Sequence, residues 1–275
     1  MLDMFKNVAV AMTLYNPLEE DIQNLINYAA EFKGIYVYAN SSIKEFRKKL
    51  TVSNIKVIGK GDNDGLAIAC HALCTAAQKD GYKYVLLLDQ DSRIGFKDIN
   101  LLYENLYLNN DNVVMTCPQI VLNNKKPQSG SDAEFVPWCI TSGSLLDLRY
   151  YGDDICFDEK YFIDRLDLDF CRQITEKGYK IFRINEALLY QDLGQTIIKR
   201  NKAVYVHAPL RHYYISRNRL YYNKKYHISG MITLAQFFRH IFMIIFDEDR
   251  KIEKLKMVFN GIADYKNNKF GKREF

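Results

Sequence analysis

The chain lacks a glycine-rich phosphate loop. No Gly-x-Gly-x-x-Gly follows its first apolar run and no Walker A sequence occurs, so a nucleotide is not held by backbone amides in either of those ways. Its six cysteines, Cys70, Cys74, Cys117, Cys139, Cys156 and Cys171, include no Cys-x-x-Cys pair. Cys70, His71 and Cys74 lie in a helical pattern of small residues, which predicts buried free thiols, not zinc ligands. The first apolar run, Val8 to Leu14, is too short for a signal peptide and gives way to a polar turn, so a reduced, cytoplasmic protein is expected. No uncharged stretch reaches the roughly 20 residues of a confident membrane span. A net charge of +5 is too diffuse to argue for nucleic acid, though it suits anionic substrates or an anionic membrane surface.

What is present is the composition of an ordinary globular protein, 48% hydrophobic and 26% charged. Aromatics are uneven: 20 Tyr and 16 Phe accompany a single Trp, and Tyr offers a flat apolar face with a polar tip for sugars and bases. Apolar runs at 8–15, 35–39, 55–58 and 82–89 alternate with helical patterns at 18–32, 43–50 and 66–79. That alternation predicts an α/β fold with a doubly wound, mainly parallel sheet. Polar residues cluster after each strand: Thr13, Tyr15 and Asn16; Asn40 and Ser41; Asp62 and Asn63; Asp89 and Asp91. Those are the carboxyl ends of parallel strands, where such folds bind ligands. Asp89 and Asp91 stand one residue apart and would repel each other unless a proton or a cation lies between them. A divalent ion gripping a phosphate satisfies that arrangement.

These residues resemble the inverting family 2 glycosyltransferases of GT-A fold, in particular their bacterial rhamnosyltransferase-like branch. The resemblance is carried by Thr13-Leu-Tyr-Asn-Pro17, Tyr38-Ala-Asn-Ser-Ser42, Asn63-Asp-Gly-Leu-Ala67, Leu87-Leu-Asp-Gln-Asp-Ser92 and Thr141-Ser-Gly-Ser144. It continues through Tyr161-Phe-Ile-Asp-Arg-Leu-Asp-Leu-Asp169, Tyr213-Tyr-Ile-Ser-Arg-Asn218 and Asn260-Gly-Ile-Ala-Asp264 to Gly271-Lys. It implies a nucleotide-sugar donor, most often dTDP-L-rhamnose, and a growing surface or lipid-linked glycan as acceptor. By the same resemblance Thr13, Tyr15, Asn16, Asn40, Asn63 and Asp89 contact the nucleotide, and Asp91 with Asp89 holds Mg²⁺ or Mn²⁺. Two positions depart from the family: Ala39 replaces an Asp, and Gln191 stands where a His is frequent, leaving Asp192 or water as other metal contacts.

Inverting transfer is a single displacement that needs a base for the acceptor hydroxyl, apart from the metal-binding carboxylates. A second acidic cluster, Asp164, Asp167 and Asp169, opens a helix ended by Gly178. Acids there also cap a helix and complement its dipole, and the spacing of Asp164 and Asp167 resembles a capping box. Asp167 matches the family's base by position; Asp164 and Asp169 are assigned to the acceptor or to orienting the base. Trp138 is either a sugar-stacking face or a core residue, while Ser142 and Gly143 let backbone approach the donor. Arg211, Tyr213 and Arg217, in a stretch mixing cations with aromatics, are placed by the resemblance near diphosphate or acceptor.

Residues 232–246 are almost continuously apolar and are followed by Lys251, Lys254 and Lys256. A core helix, a homodimer interface and a peripheral membrane contact remain open for them. The expected organisation is a GT-A domain over 1–220, its nucleotide-binding half at 1–95 and its acceptor half at 96–220, with a helical C-terminal extension over 221–275. A galactofuranosyl- or other hexosyltransferase using a UDP-sugar, and a non-catalytic nucleotide- or glycan-binding relative, are the alternatives.

Overall fold

Strand β1 (Val8–Leu14) is buried at every position because helices cover both of its faces. In the computed structural model, which describes residues 5–108, 112–122, 133–191, 196–199, 202–205 and 207–273, β1 is joined in parallel to β2 (Gly34–Ala39) and β4 (Tyr84–Asp89). Strand β3 (Ile55–Ile58) continues the parallel half, giving the order β3-β2-β1-β4. The sheet then passes through β8 (Leu145–Asp147), antiparallel to β4, to β6 (Val113–Leu122) and β9 (Lys180–Gln191), which run parallel to each other. Two short strands, β5 (Ser92–Ile94) and β7 (Ala133–Val136), pair antiparallel with β9.

Helices α1 (Glu19–Glu31) and α3 (Phe96–Leu108) cover one face of this sheet. Ile22, Leu25, Ile99 and Leu102 pack there with the alternate residues Val8, Val10, Met12 and Leu14 of β1. The intervening Ala9 and Ala11 face the other side, where α2 (Leu66–Lys79) crosses β1, β2 and β4 with its own buried Ala67, Ala69 and Leu73. The helix α4 (Leu166–Glu176) packs against β9. The predicted helix over 43–50 is only a 3-10 turn at Lys44–Phe46, since so short a segment does not repay helix nucleation.

The chain divides into two compact units, Met1–Glu159 with Leu166–Asp192, and Lys160–Arg165 with Leu193–Phe275. The expected boundary after residue 220 therefore falls inside a helix, α5 (Pro209–Lys225), which lies wholly in the second unit. That unit also holds a hairpin of β10 (Thr196–Lys199) and β11 (Lys202–Tyr205), and helices α6 (Gly230–Asp247) and α7 (Lys251–Lys266). Gly261 allows α7 to lie against α5: a methyl group there would collide with Ser216 Oγ and the Tyr213 carbonyl.

The core-helix reading of 232–246 does not hold. Of α6 only His240 and Ile244 are buried, whereas Met231, Phe238, Phe242 and Phe246 are exposed. By length and composition this helix could cross a membrane, and little of it is covered within the chain. Its inner end is fixed by a buried network: His212 contacts His240 at 2.9 Å and Glu248 at 3.0 Å, and Lys254 donates to Glu248 at 2.8 Å. Burial raises the Glu248 carboxyl, but the hydrogen bonds from His212 and Lys254 outweigh it and hold the group at about 2. A depressed carboxyl adds stability above its unfolded value and loses it as pH falls toward 2. Lys254→Met removes the one lysine that pairs with buried Glu248 and leaves it His212 alone, so chemical unfolding at neutral pH should show a loss of about 3 kcal/mol. An unchanged urea midpoint would contradict this.

Candidate active site

The apolar run of β4 ends at Asp89, and its register with β1 sets Thr13 directly beside that residue. The chain turns at Gln90 and Asp91 and re-enters the sheet as β5, whose pairing with β9 aligns Ser92 with Gln191. That alignment brings Gln191 to the two carboxylates, and its Nε2 donates to Asp89 Oδ2 and Asp91 Oδ1, both at 3.3 Å.

A second segment clamps the same strand end. Residues 141–144 form a turn in which Gly143 N–H donates to the Leu87 carbonyl at 2.7 Å, and Leu87 N–H to the Ser144 carbonyl at 3.0 Å. Ser142 Oγ accepts the Asp89 N–H at 2.9 Å and pairs with Ser92 Oγ at 2.7 Å. Thr141 donates from both its N–H (3.0 Å) and its hydroxyl (2.6 Å) to one oxygen, Oδ1, of Asp167 in the first turn of α4. Asp89, Asp91 and Asp167 thus belong to one constellation.

Its electrostatics show the strain of that arrangement. Burial, then the charges of Asp167 and Asp91, push the Asp89 carboxyl up to about 7. Asp91, at the rim, is also raised, chiefly by desolvation of its carboxyl. Desolvation, then the neighbouring Cys74 and the charges of Asp89 and Asp167, drives the Cys70 thiol well up, although the residue is only partly buried, and an un-ionised thiol is unreactive.

The strand ends are stitched into one crevice. Tyr15 N–H donates to Gln90 Oε1 at 2.7 Å, and Gln90 returns a bond to the Tyr15 carbonyl. Asn16, in a left-handed conformation, donates its N–H to Ser41 Oγ at 2.6 Å. Buried Asn40 accepts the Asp64 N–H at 2.8 Å, and Tyr38 donates to the Asp64 carboxylate at 2.8 Å. Asn63 sits half-buried in the turn just before Asp64. Gln90, Asp64 and Thr141 were not singled out from sequence. Each lies inside or at the start of a motif already recognised, as the middle of Asp-x-Asp, the neighbour of Asn63 and the first residue of Thr141-Ser-Gly-Ser144.

Asp169 is buried and accepts from Gln173 Nε2 at 2.7 Å, one helical turn on. Trp138 is 53% exposed, so it is not a core residue; it lines a shallow cavity of about 420 Å³ with Pro118, Glu134 and Arg183. Asp164, Arg211, Tyr213 and Arg217 belong to the second unit. There Arg211 Nη2 donates to Asp164 Oδ1 at 2.9 Å, and Asp164 and Arg165 both adopt left-handed backbone conformations. Asp192 lies outside the described residues.

Among the described residues no three His, Cys, Asp or Glu side chains cluster as metal ligands. The available donor set is therefore Asp89, Asp91 and the amide of Gln191, which presents oxygen instead of nitrogen when rotated. Mutually repelling carboxylates with an amide oxygen suit a hard divalent ion such as Mg²⁺ or Mn²⁺. The clamp itself depends on Gly143, whose φ is +79° and where a Cβ would lie 2.9 Å from Leu189 Cδ2 and 3.0 Å from Pro118 Cγ. Gly143→Ala should cost about 2 kcal/mol of stability in thermal unfolding; a melting temperature equal to wild type would count against the clamp.

Comparison with known proteins agrees with this geometry. Residues 10–163, more than half of the chain, match the family described as glycosyl transferase family 2. A dTDP-rhamnosyl transferase, RfbF of Shigella flexneri, is 23% identical over 285 residues, covering 92% of this chain and 93% of its own. Among solved structures, S. aureus TarS 1-349 in complex with UDP-GlcNAc superposes with a TM-score of 0.51 at 17% identity, over 94% of this chain and 80% of that one. GalNAc-T7 with UDP, GalNAc and Mn²⁺ gives 0.54 at 12% identity over 77% of this chain, which spans only 50% of the GalNAc-T7 chain. The fold is therefore GT-A, and the chain belongs to glycosyl transferase family 2, the nucleotide-sugar glycosyltransferases.

Proposed function

We propose that this enzyme transfers L-rhamnose from dTDP-L-rhamnose to a glycan acceptor with inversion at the anomeric carbon. The observation that carries the mechanism is the separation of roles in one constellation: Asp89 and Asp91 bridged by Gln191, and Asp167 oriented independently by Thr141. The choice of rhamnose is supported by likeness to the Shigella flexneri dTDP-rhamnosyl transferase along nearly the whole chain.

In this reading Thr13, Tyr15, Asn16, Asn40 and Asn63 line the nucleoside crevice at the strand ends. Ser142 and Gly143 fix the floor under the sugar by holding Asp89 to the sheet. The Asp167 carboxylate takes the proton of the acceptor hydroxyl as that oxygen bonds to the anomeric carbon. The bond from that carbon to the diphosphate oxygen breaks, and its electron pair leaves with the nucleoside diphosphate. Asp89, Asp91 and Gln191 would hold a divalent ion, which when bound would supply positive charge to stabilise this leaving group. The exposed apolar face of α6 suits a cytoplasmic enzyme resting on the membrane that carries a lipid-linked acceptor.

Asp167→Asn should lower turnover by roughly 10² to 10⁴ while leaving donor affinity within about twofold, because the base acts on the acceptor. Near-normal turnover of this variant would overturn the assignment. Metal binding should also titrate: ligation requires an ionised Asp89, whose folded value is about 7, so Mn²⁺ affinity rises and proton release falls as pH increases through that value. Calorimetry giving one affinity and no proton release between about pH 5 and 8 would contradict the carboxylate ligands.

A further inference from the structure

The second unit contains a cavity of about 450 Å³ between α5, α6 and α7, within the size range of small-molecule sites. Leu220, Leu234, Phe237 and Ile262 give it hydrocarbon walls, and its described lining residues include no Asp or Glu. Two polar groups of the lining are incompletely satisfied. Arg219 donates from Nη1 to the Gln236 carbonyl at 2.9 Å, but its buried Nε has no hydrogen-bond partner. Burial, then the charges of Arg165 and Arg239, lower its guanidinium to about 10. The acid that acts on it, Asp164, is already paired with Arg211. His240, 6% exposed, meets His212 through Nε2 at 2.9 Å, and its buried Nδ1 has no partner. Burial, then the Arg219 charge, hold this imidazole at about 3, so it is neutral. The Asn223 amide nitrogen, by contrast, donates to Thr233 Oγ1 at 2.9 Å and to Gln236 Oε1 at 3.0 Å.

A buried guanidinium without a counter-ion is costly, and apolar walls favour hydrocarbon over water. One buried cation among such walls matches a ligand with a hydrocarbon chain and a single negative charge. A carboxylate supplies that charge and two acceptor oxygens, whereas a phosphate group brings more charge than one guanidinium offsets. Lys224, the other cation of the lining, is exposed and screened by solvent. A neutral imidazole presents a donor or an acceptor at Nδ1 according to its tautomer, and a carboxyl group answers both. We propose that this cavity binds a long-chain fatty acid, its carboxyl group on Arg219 and His240 and its chain between Leu234, Phe237 and Ile262. Leu234 is 55% exposed, so the cavity wall runs out into the apolar stripe of α6, and the chain enters from that side. The site stands on the second unit alone and does not depend on sugar transfer at Asp89 and Asp91.

The test is calorimetric titration of the full chain with laurate, kept below its micelle concentration. Saturable binding at one site is expected. Methyl laurate, which has the same chain and no charge, should bind roughly tenfold more weakly, the share of one charge-assisted hydrogen bond. Leu234→Glu sets a carboxylate at an exposed position of the cavity wall and should fold normally; its laurate affinity should fall by roughly tenfold or more. Phe242→Ser, on the exposed stripe of the same helix but outside the lining, should bind laurate like wild type. Arg219→Gln should erase the preference for laurate over its ester, and if it fails to fold, the ester and Leu234→Glu still decide. Asp167→Asn should bind laurate like wild type, which separates this site from sugar transfer. No saturable binding, equal affinity for the ester, or an affinity unchanged in Leu234→Glu overturns the site. Equal losses in Leu234→Glu and Phe242→Ser also overturn it, since they mark adsorption to the helix face.

Discussion

Two carboxylates at the end of a buried strand, with the charge of Asp167 on α4 acting on Asp89, are the constraint on which the first unit depends. Asp89 is desolvated and repelled by Asp167 and Asp91, which together raise its carboxyl to about 7, well above the usual carboxylate range. Nothing in hydrophobic packing rewards that arrangement. It persists because backbone bonds from β1 and the 141–144 turn fix the strand end, and because Gln191 donates to two of the carboxylates at once. On the function proposed above, a divalent cation bound there would convert the repulsion into attraction.

The turn at Thr141–Ser144 links the two halves of the chemistry. Ser142 grips the backbone of Asp89 while Thr141, one residue earlier, grips the carboxylate of Asp167. Asp89 and Asp167 are therefore referenced to the same four residues, not to two independent loops. Gly143 sits at the tightest point, where its left-handed backbone and the proximity of Leu189 and Pro118 leave no room for a side chain.

Much of this was legible in the amino-acid pattern. The alternation of apolar runs and helical segments fixed the parallel half of the sheet, and the abrupt end of Val85-Leu-Leu-Leu88 in Asp89 marked the site. What was hidden depends on pairing between distant segments. Gln191 read as a defect in a metal site, because only the register of the three-residue strand β5 with β9 reveals that it bridges both carboxylates. The acidic cluster at 164–169 read as one group, yet Asp164 pairs with Arg211 in the second unit and Asp169 is buried against Gln173. Residues 160–165 belong to the C-terminal unit, and no composition shift announces it. The apolar helix at 230–247 was visible as a helix, but which face it covers was not, since its period is the same in a core, an interface or a membrane surface.

Electron paramagnetic resonance of Mn²⁺ tests the central claim most directly, because it counts free ion. Titrating Mn²⁺ with dTDP present into wild type and into Asp91→Ala compares the same chain with and without one proposed ligand. The account predicts that wild type depletes the free Mn²⁺ signal well beyond what dTDP alone does, and that Asp91→Ala does not. Coincident titrations for the two proteins would mean that the metal and the diphosphate are not held by Asp89 and Asp91.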